Sequence, residues 1–317
     1  MSEFPLNYLT GYGSGASAIA PLTRGLIAVS LGVIIIISAL ILFAIFRRRP
    51  IEQADRIVQA NTPLSWIYAG AGLTVAVLVG LLVWTLATMA AVNRSNRAPA
   101  IDLEVTARQW WWEIRYLDKD AFRIFTTANE IHIPVGEAVR IRLRGGDVIH
   151  SFWAPALNGK TDMIPGHINV TWLRADRPGV YRGQCAEYCG KQHAHMAFTV
   201  VAESRDSFDA WRARQVKGKA PLASEPAAIA DGRKAFQSHC SVCHTVRGSL
   251  AGGAVGPDLT HLMSRAAIAA GALPNTPGAL AGWIADPQHI KPGAKMPRLD
   301  MSGAQLHAVT TYLATLN

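Results

Sequence analysis

Two long stretches near the amino terminus carry almost no charge, and they restrict the fold more than any other feature of the chain. Residues 22–46 are apolar apart from Arg24 and a few small polar side chains, with an almost unbroken aliphatic run from Val33 to Leu40, and residues 64–92 contain no charged residue. A bilayer core offers no water to backbone amides, so a crossing segment must satisfy them internally, as a helix of roughly 20 apolar residues. Both stretches are long enough. The sequence therefore predicts a two-helix transmembrane hairpin, with spans at 22–46 and 64–92 joined by a loop at 47–63. Buried helices of a soluble protein are the competing reading, and two such runs in succession disfavour it.

Orientation follows the basic residues. Arg47, Arg48, Arg49 and Arg56 crowd the 47–63 loop and assign it to the cytoplasm. Arg94 and Arg97 reduce the contrast without reversing it. The segment 1–21 and everything beyond the second span are then expected outside. Residues 1–21 lack a basic region followed by a short apolar stretch and a cleavage site, so they do not read as a removable signal peptide. The formal charge of +9 is spread over the loop, the following domain and the linker. No nucleic-acid motif accompanies it, so a nucleic-acid partner is not expected.

After the second span the pattern changes to alternation, as in Val139-Arg-Ile-Arg-Leu-Arg144. Leu103–Tyr116, Glu130–Pro134, Val170–Ala175, Gly179–Gly183 and Met196–Ala202 also read as strands. Together they predict an all-β sandwich or barrel over 93–204. Residues 205–228 read as a linker whose first part is a short helix. From 229 to 317 the pieces are helical: Ala230–His239, Leu280–Asp286 and Ser302–Leu316.

The chain has four cysteines, in two tight pairs. Cys185, Cys189, His193 and Met196 place two thiolates, an imidazole and a thioether in one loop, a donor set suited to copper, which cycles without rearranging such a site. Two thiolates can bridge two coppers. A second imidazole must then come from elsewhere: His150, at a predicted strand end, is the candidate, and His132, His167 and His195 compete. Structural zinc and a surface disulfide are the alternatives. Cys240-Ser-Val-Cys243-His244 is the attachment signature of a c-type haem, with Met296 before Pro297 as a distal ligand. Met263 and Met301 are its rivals, while His239 and His261 read as surface or satisfied histidines.

Residues 20–205 resemble subunit II of a haem-copper cytochrome c oxidase. The resemblance rests on Gln109-Trp110-Trp111-Trp112, His150-Ser151-Phe152-Trp153-Ala154-Pro155, Lys160-Thr161-Asp162-Met163-Ile164-Pro165-Gly166 and the copper loop. It implies a cupredoxin (Greek-key) domain holding a dinuclear CuA site. In that family both cysteines bridge; His150 and Met196 would serve one copper, and His193 with the backbone carbonyl of Glu187 the other. The Glu187 carboxylate would reach a magnesium at the interface with subunit I. Trp110 matches the residue through which electrons arrive from an external cytochrome; its plain alternative is a residue of a half-buried aromatic cluster. One departure stands out: where the family commonly has Asn-x-Pro-Leu-Glu, this chain reads Asn61-Thr62-Pro63-Leu64-Ser65, without the carboxylate that serves proton uptake.

Residues 226–317 resemble a class I cytochrome c. There the Pro257 carbonyl of Gly256-Pro257-Asp258-Leu259 would orient His244, and Met296 would be the sixth iron ligand. The whole chain thus resembles subunit II of a caa-type oxidase in a bacterial inner membrane, with copper and haem domains on the periplasmic face. It would take electrons from cytochrome c or a cytochrome bc complex. It would pass them through haem c and CuA to subunit I, which reduces oxygen with proton translocation, alongside the other oxidase subunits. A CuA-containing nitric oxide reductase subunit, a copper-free quinol oxidase subunit and a membrane copper-delivery protein are the alternatives.

Overall fold

The structure, a computed structural model, describes residues 6–47, 64–93, 98–218 and 225–317. Arg48, Arg49, Arg56, Arg94, Arg97, the segment Asn61–Pro63 and linker residues 219–224 lie outside the described residues. The two apolar runs form helices α1 (Ser14–Phe46) and α2 (Ser65–Asn93). Helix α1 begins eight residues before the predicted span, because Ser14, Gly15 and Ser17 carry no apolar signal although they are helical. Within α2, Thr74, Thr85 and Thr88 donate their hydroxyls to the carbonyls of Gly70, Leu81 and Trp84. An apolar surround therefore meets no bare hydroxyl donor at these positions. Gly25 of α1 meets the indole of Trp84, where a Cβ would come within 2.5 Å.

The β region is a sandwich of two five-stranded sheets. One runs β3-β2-β1-β5-β8: β1 (Ile101–Arg108), β2 (Trp111–Leu117), β3 (Phe125–Ala128), β5 (Val139–Gly145) and β8 (Ile168–Leu173). The other runs β4-β10-β9-β6-β7: β4 (Glu130–Pro134), β6 (His150–Trp153), β7 (Thr161–Met163), β9 (Gly179–Cys185) and β10 (Ala197–Glu203). The β1–β5 and β10–β4 pairs are parallel and their other neighbours antiparallel. Alternation along β1 buries Ile101, Leu103, Val105 and Ala107, which meet Ile131, Ile133, Val200 and Phe198 of the second sheet in one core.

The single strand expected at Leu103–Tyr116 is two. The chain turns at Gln109–Trp110, so that Arg108 pairs with Trp111. Apolar and aromatic residues continue through the turn, and alternation does not register it. Helix α3 (Arg205–Val216) follows β10; Ser204 caps it by accepting from the Ser207 amide, and Phe208 and Trp211 enter the sandwich core.

The helical region contains α4 (Ala227–His239), α5 (Pro277–Ala285), α6 (Pro287–Ile290) and α7 (Gly303–Leu313). Helices α4 and α7 pack closely: Gly232 lies against the Ala308 carbonyl, leaving 2.1 Å for a Cβ, and Phe236 meets Tyr312. A capping box of Ser302 and Gln305 starts α7. Between α4 and α5 a two-residue ladder, Ala267–Ile268 with Leu273–Pro274, closes a turn in which Ala269 and Ala270 are left-handed at φ 52° and 58°.

Candidate metal centre and haem site

Strands β6, β9 and the loop into β10 bring together the donors read from the sequence. His150 begins β6, Cys185 ends β9, and Cys189, His193 and Met196 follow on the loop before β10. The two thiols are buried, and their sulfurs lie 3.7 Å apart. Cys185 Sγ is 3.9 Å from His150 Nδ1 and 3.2 Å from the Glu187 carbonyl oxygen; Cys189 Sγ is 3.6 Å from His193 Nδ1 and 3.8 Å from Met196 Sδ. A disulfide needs about 2.05 Å between sulfurs, so the pair is two thiols. Two thiols, two imidazoles, a thioether and a carbonyl make six donors, more than the four of structural zinc, and the sulfur and imidazole groups among them suit copper. The Cys189 sulfhydryl is the main influence that pulls the Cys185 thiol down, and the charge so formed, with burial, pushes Cys189 up.

Competing imidazoles are engaged elsewhere or exposed. His132 sits between Glu203 (2.7 Å) and Glu130 (3.1 Å), His195 bonds Gln192 Oε1 at 2.8 Å, and His167 is exposed. Glu187 divides its groups: its carbonyl faces Cys185, while its carboxylate is half exposed and lies 3.9 Å from Lys160 Nζ.

Asp147 is a residue the sequence reading missed, and no motif marks it. Its carboxylate meets His150 Nε2 at 2.8 Å and accepts from the backbone amides of Gln109 and Val148 at 2.7 and 2.8 Å. Burial raises its pKa, and these donors outweigh burial to leave it below the usual carboxylate range. The copper-facing histidine is therefore oriented by a charged carboxylate through its second nitrogen.

Trp110 lies in the turn between β1 and β2, only 8 % exposed. Its Nε1–H donates to the Cys189 carbonyl at 2.9 Å, as does Gln109 Nε2 at 2.8 Å. It faces Gly190 of the metal loop on one side and Gly293 of the helical region on the other, where added Cβ atoms would lie 3.1 and 3.6 Å from the indole.

In the helical region Cys240 and Cys243 follow α4, and both are free thiols. Burial pushes Cys240 up to about 11. Burial also lowers His244, whose Nδ1–H donates to the Pro257 carbonyl at 2.8 Å and leaves the Nε2 lone pair free to ligate. Gly256 makes that geometry fit: a Cβ there would stand 2.6 Å from His244 Cε1. Two thiols and an imidazole aimed by its other nitrogen fit a covalently held haem. Met296, Met263 and Met301 all pack against the helical core. His261 bonds the Asn317 and Lys217 carbonyls and His239 the Ala235 carbonyl, so both are satisfied.

A family model for the periplasmic domain of cytochrome c oxidase subunit II matches residues 102–204, and one for cytochrome c matches 229–317. The chain is 38% identical over 286 residues to cytochrome c oxidase subunit 2 of Alkalihalophilus pseudofirmus, covering 87% of this chain and 80% of that protein. It is 35% identical over 256 residues to the subunit 2 of Bacillus sp. strain PS3, covering 77% and 70%. The chain belongs to the cytochrome c oxidase subunit II family. Among solved structures, the periplasmic domain of cytochrome oxidase subunit II from Bradyrhizobium japonicum is 31% identical, covering 38% of this chain and 95% of that one, with a TM-score of 0.36. This member of the family carries a cytochrome c domain fused after the subunit II fold. It is the electron-accepting subunit of an oxidoreductase complex whose oxygen chemistry takes place in another chain.

Proposed function

We propose that the chain relays electrons from an external donor, cytochrome c or a cytochrome bc complex, through a covalently bound haem c and a dinuclear copper site to subunit I. The reading takes 93–204 as the cupredoxin domain, 205–228 as the connection and 229–317 as the cytochrome domain. The extramembrane domains lie on the periplasmic face of a bacterial inner membrane, where c-type haem is attached.

The observation that carries this reading is the convergence of His150, His193, Met196 and the Glu187 carbonyl on two buried thiols that are not joined. Cys185, Cys189, His150, His193, Met196 and the Glu187 carbonyl would hold the copper. When bound, copper supplies a one-electron carrier in a site that need not rearrange on reduction. The protein's contribution is rigidity: Asp147 fixes His150, β6 and β9 fix the loop ends, and the sandwich excludes water from the thiolates. Cys240, Cys243, His244 and Met296 would hold a haem, which when bound would supply a second one-electron carrier. Pro257 and Gly256 orient His244, and Trp110 spans the space between the helical region and Cys189. The Glu187 carboxylate, exposed beyond the metal loop, suits a magnesium at the interface with subunit I.

The test is metal and haem analysis of the intact membrane complex with electron paramagnetic resonance of the oxidised state. One c-haem with a mixed-valence two-copper signal is expected. Haem without that signal, under adequate copper supply, would sink the copper reading.

A further inference from the structure

Four hydrogen bonds and ion pairs join the copper-loop face of the sandwich to the helical region, and a fifth, from Lys291, stays within that region. Lys291 Nζ donates to the Trp110 carbonyl at 2.8 Å and to the Ala269 carbonyl at 3.0 Å. Gln192 Nε2 donates to the Pro292 carbonyl at 2.8 Å, the Ala197 amide donates to the Ala270 carbonyl at 3.0 Å, and Lys295 Nζ lies 3.3 Å from Asp147. Lys291 is buried, only 3 % exposed, and burial pulls its amine down to about 7, whereas the Lys295 side chain is 63 % exposed.

We propose that Lys291 is a docking latch, a positioning residue that pins the Met296-bearing segment of the cytochrome domain onto Trp110 and so holds the haem and copper loops in a fixed relation. The proposal rests on the assignment of those loops to haem and copper.

Three observations carry it. A lysine buried this far gives up its hydration and is retained only where its N–H groups find partners; here both partners are backbone carbonyls, one on each side of the junction. Neither is a carboxylate, so the contact joins rather than neutralises. Second, the acceptor turn is held in an uncommon shape. Ala269 and Ala270 occupy the left-handed region, where alanine is disfavoured, and their carbonyls are the two that accept from Lys291 and Ala197. Third, the latch meets the indole that bonds the metal loop. Trp110 bonds Cys189 through its ring and Lys291 through its carbonyl, so a single residue links the metal loop to residue 291, five positions before Met296. With Trp110 covered in this way, its indole serves the tethered haem rather than a soluble cytochrome.

The test compares wild-type and Lys291→Met oxidase complexes, after copper and haem contents have been measured for each. Two readouts follow: hydrogen exchange at the Ala197 amide, and the rate of haem-to-copper electron transfer after rapid photoreduction. With both centres present, loss of the two Lys291 hydrogen bonds is expected to speed exchange at Ala197 by about tenfold or more and to slow electron transfer. Lys291→Gln, which keeps N–H donors on a shorter stem, should fall between. Wild-type exchange and transfer rates in a Lys291→Met complex retaining both centres would overturn the latch. A wild-type complex without its copper signal would instead overturn the underlying assignment. A second measurement needs no variant: in the native complex an amine-acetylating reagent should modify Lys295 and Lys234 rapidly and Lys291 slowly, and equal rates at Lys291 and Lys295 would also reject the proposal.

Discussion

The Trp110 indole donates to the carbonyl of Cys189, a residue whose own sulfur faces His193 and Met196. The bond ties an aromatic ring to the backbone of a metal-facing residue, giving a short covalent and hydrogen-bonded route from the edge of the sandwich to the sulfur. Trp110→Phe keeps an aromatic ring over Gly190 and removes the bond. The expected result is a stability loss of about 1 kcal/mol by thermal or denaturant unfolding, unchanged copper content, and slower electron arrival at copper in flash photoreduction. An unchanged transfer rate would remove Trp110 from the route.

Asp147 orients His150 from outside the donor set. Asp147→Ala strips His150 Nε2, the Gln109 amide and Lys295 of one shared acceptor. Loss of an orienting carboxylate of this kind typically weakens metal binding by about 10- to 100-fold. Competition against a copper chelator, with residual copper measured by atomic absorption, should show a loss in that range. Retention equal to wild type would mean that the strand position alone holds His150.

How much of this was legible in the sequence depends on how locally each feature is encoded. The two spans, the long strands and the helices around the haem motif announce themselves through period and composition. Cys185, Cys189, His193 and Met196 are close in sequence, and a loop between two strands suffices to gather them. His150 comes from 35 residues upstream of Cys185, and the segment His150-Ser151-Phe152-Trp153-Ala154-Pro155, through its resemblance to the family, is what singles it out from the other histidines. Strands β3, β6 and β7, at four, four and three residues, are too short for alternation to register. Asp147, Gln192 and Lys291 could not be read at all. Their roles follow from which backbone atoms lie opposite in the folded state, and a lysine destined for burial looks in sequence like any other. The contact between Lys291 and the Trp110 carbonyl meets the same limit, since the two residues lie 181 positions apart.

The triad Glu130–His132–Glu203 predicts a pH dependence. Burial pushes His132 down, but its hydrogen bonds to Glu130 and Glu203, with their charges, outweigh it and raise the imidazole above its ordinary value. For Glu130, burial raises the pKa and the His132 partner outweighs it, so the carboxyl is lowered. His132 therefore contributes fully below the ordinary imidazole range, and its contribution is lost as pH rises through the raised value. Glu130 contributes above the ordinary carboxylate range and is lost as pH falls through the lowered one. The network is complete near pH 5 to 6, taking about 4.3 and 6.5 as the unfolded values. His132→Gln should cost about 2 kcal/mol at pH 6, with the gap to wild type narrowing by pH 9. A melting-temperature difference that stays constant across this range would show that His132 acts through its stack on Trp211, with ring centroids 4.1 Å apart, and not through its charge.

Gly256 offers the sharpest test of how the haem histidine is aimed. Its backbone passes so close to His244 that a Cβ would sit 2.6 Å from Cε1 and 2.9 Å from Nδ1, below any tolerated contact. Gly256→Ala must therefore push the ring away or drag the Pro257 carbonyl, which accepts from the same Nδ1 at 2.8 Å. Overpacking of this kind costs about 1–3 kcal/mol. Because the displaced group is the imidazole proposed to hold the haem, the change should reach the haem optical spectrum and reduction potential as well as the unfolding midpoint. Copper content should not move, since no copper-facing residue touches this turn. The thioether links to Cys240 and Cys243 should still form, so haem stays covalently attached on a denaturing gel while its axial ligation is altered. A variant with a wild-type spectrum and potential would show that the turn relaxes without disturbing His244, and that glycine is not what sets the ring's orientation.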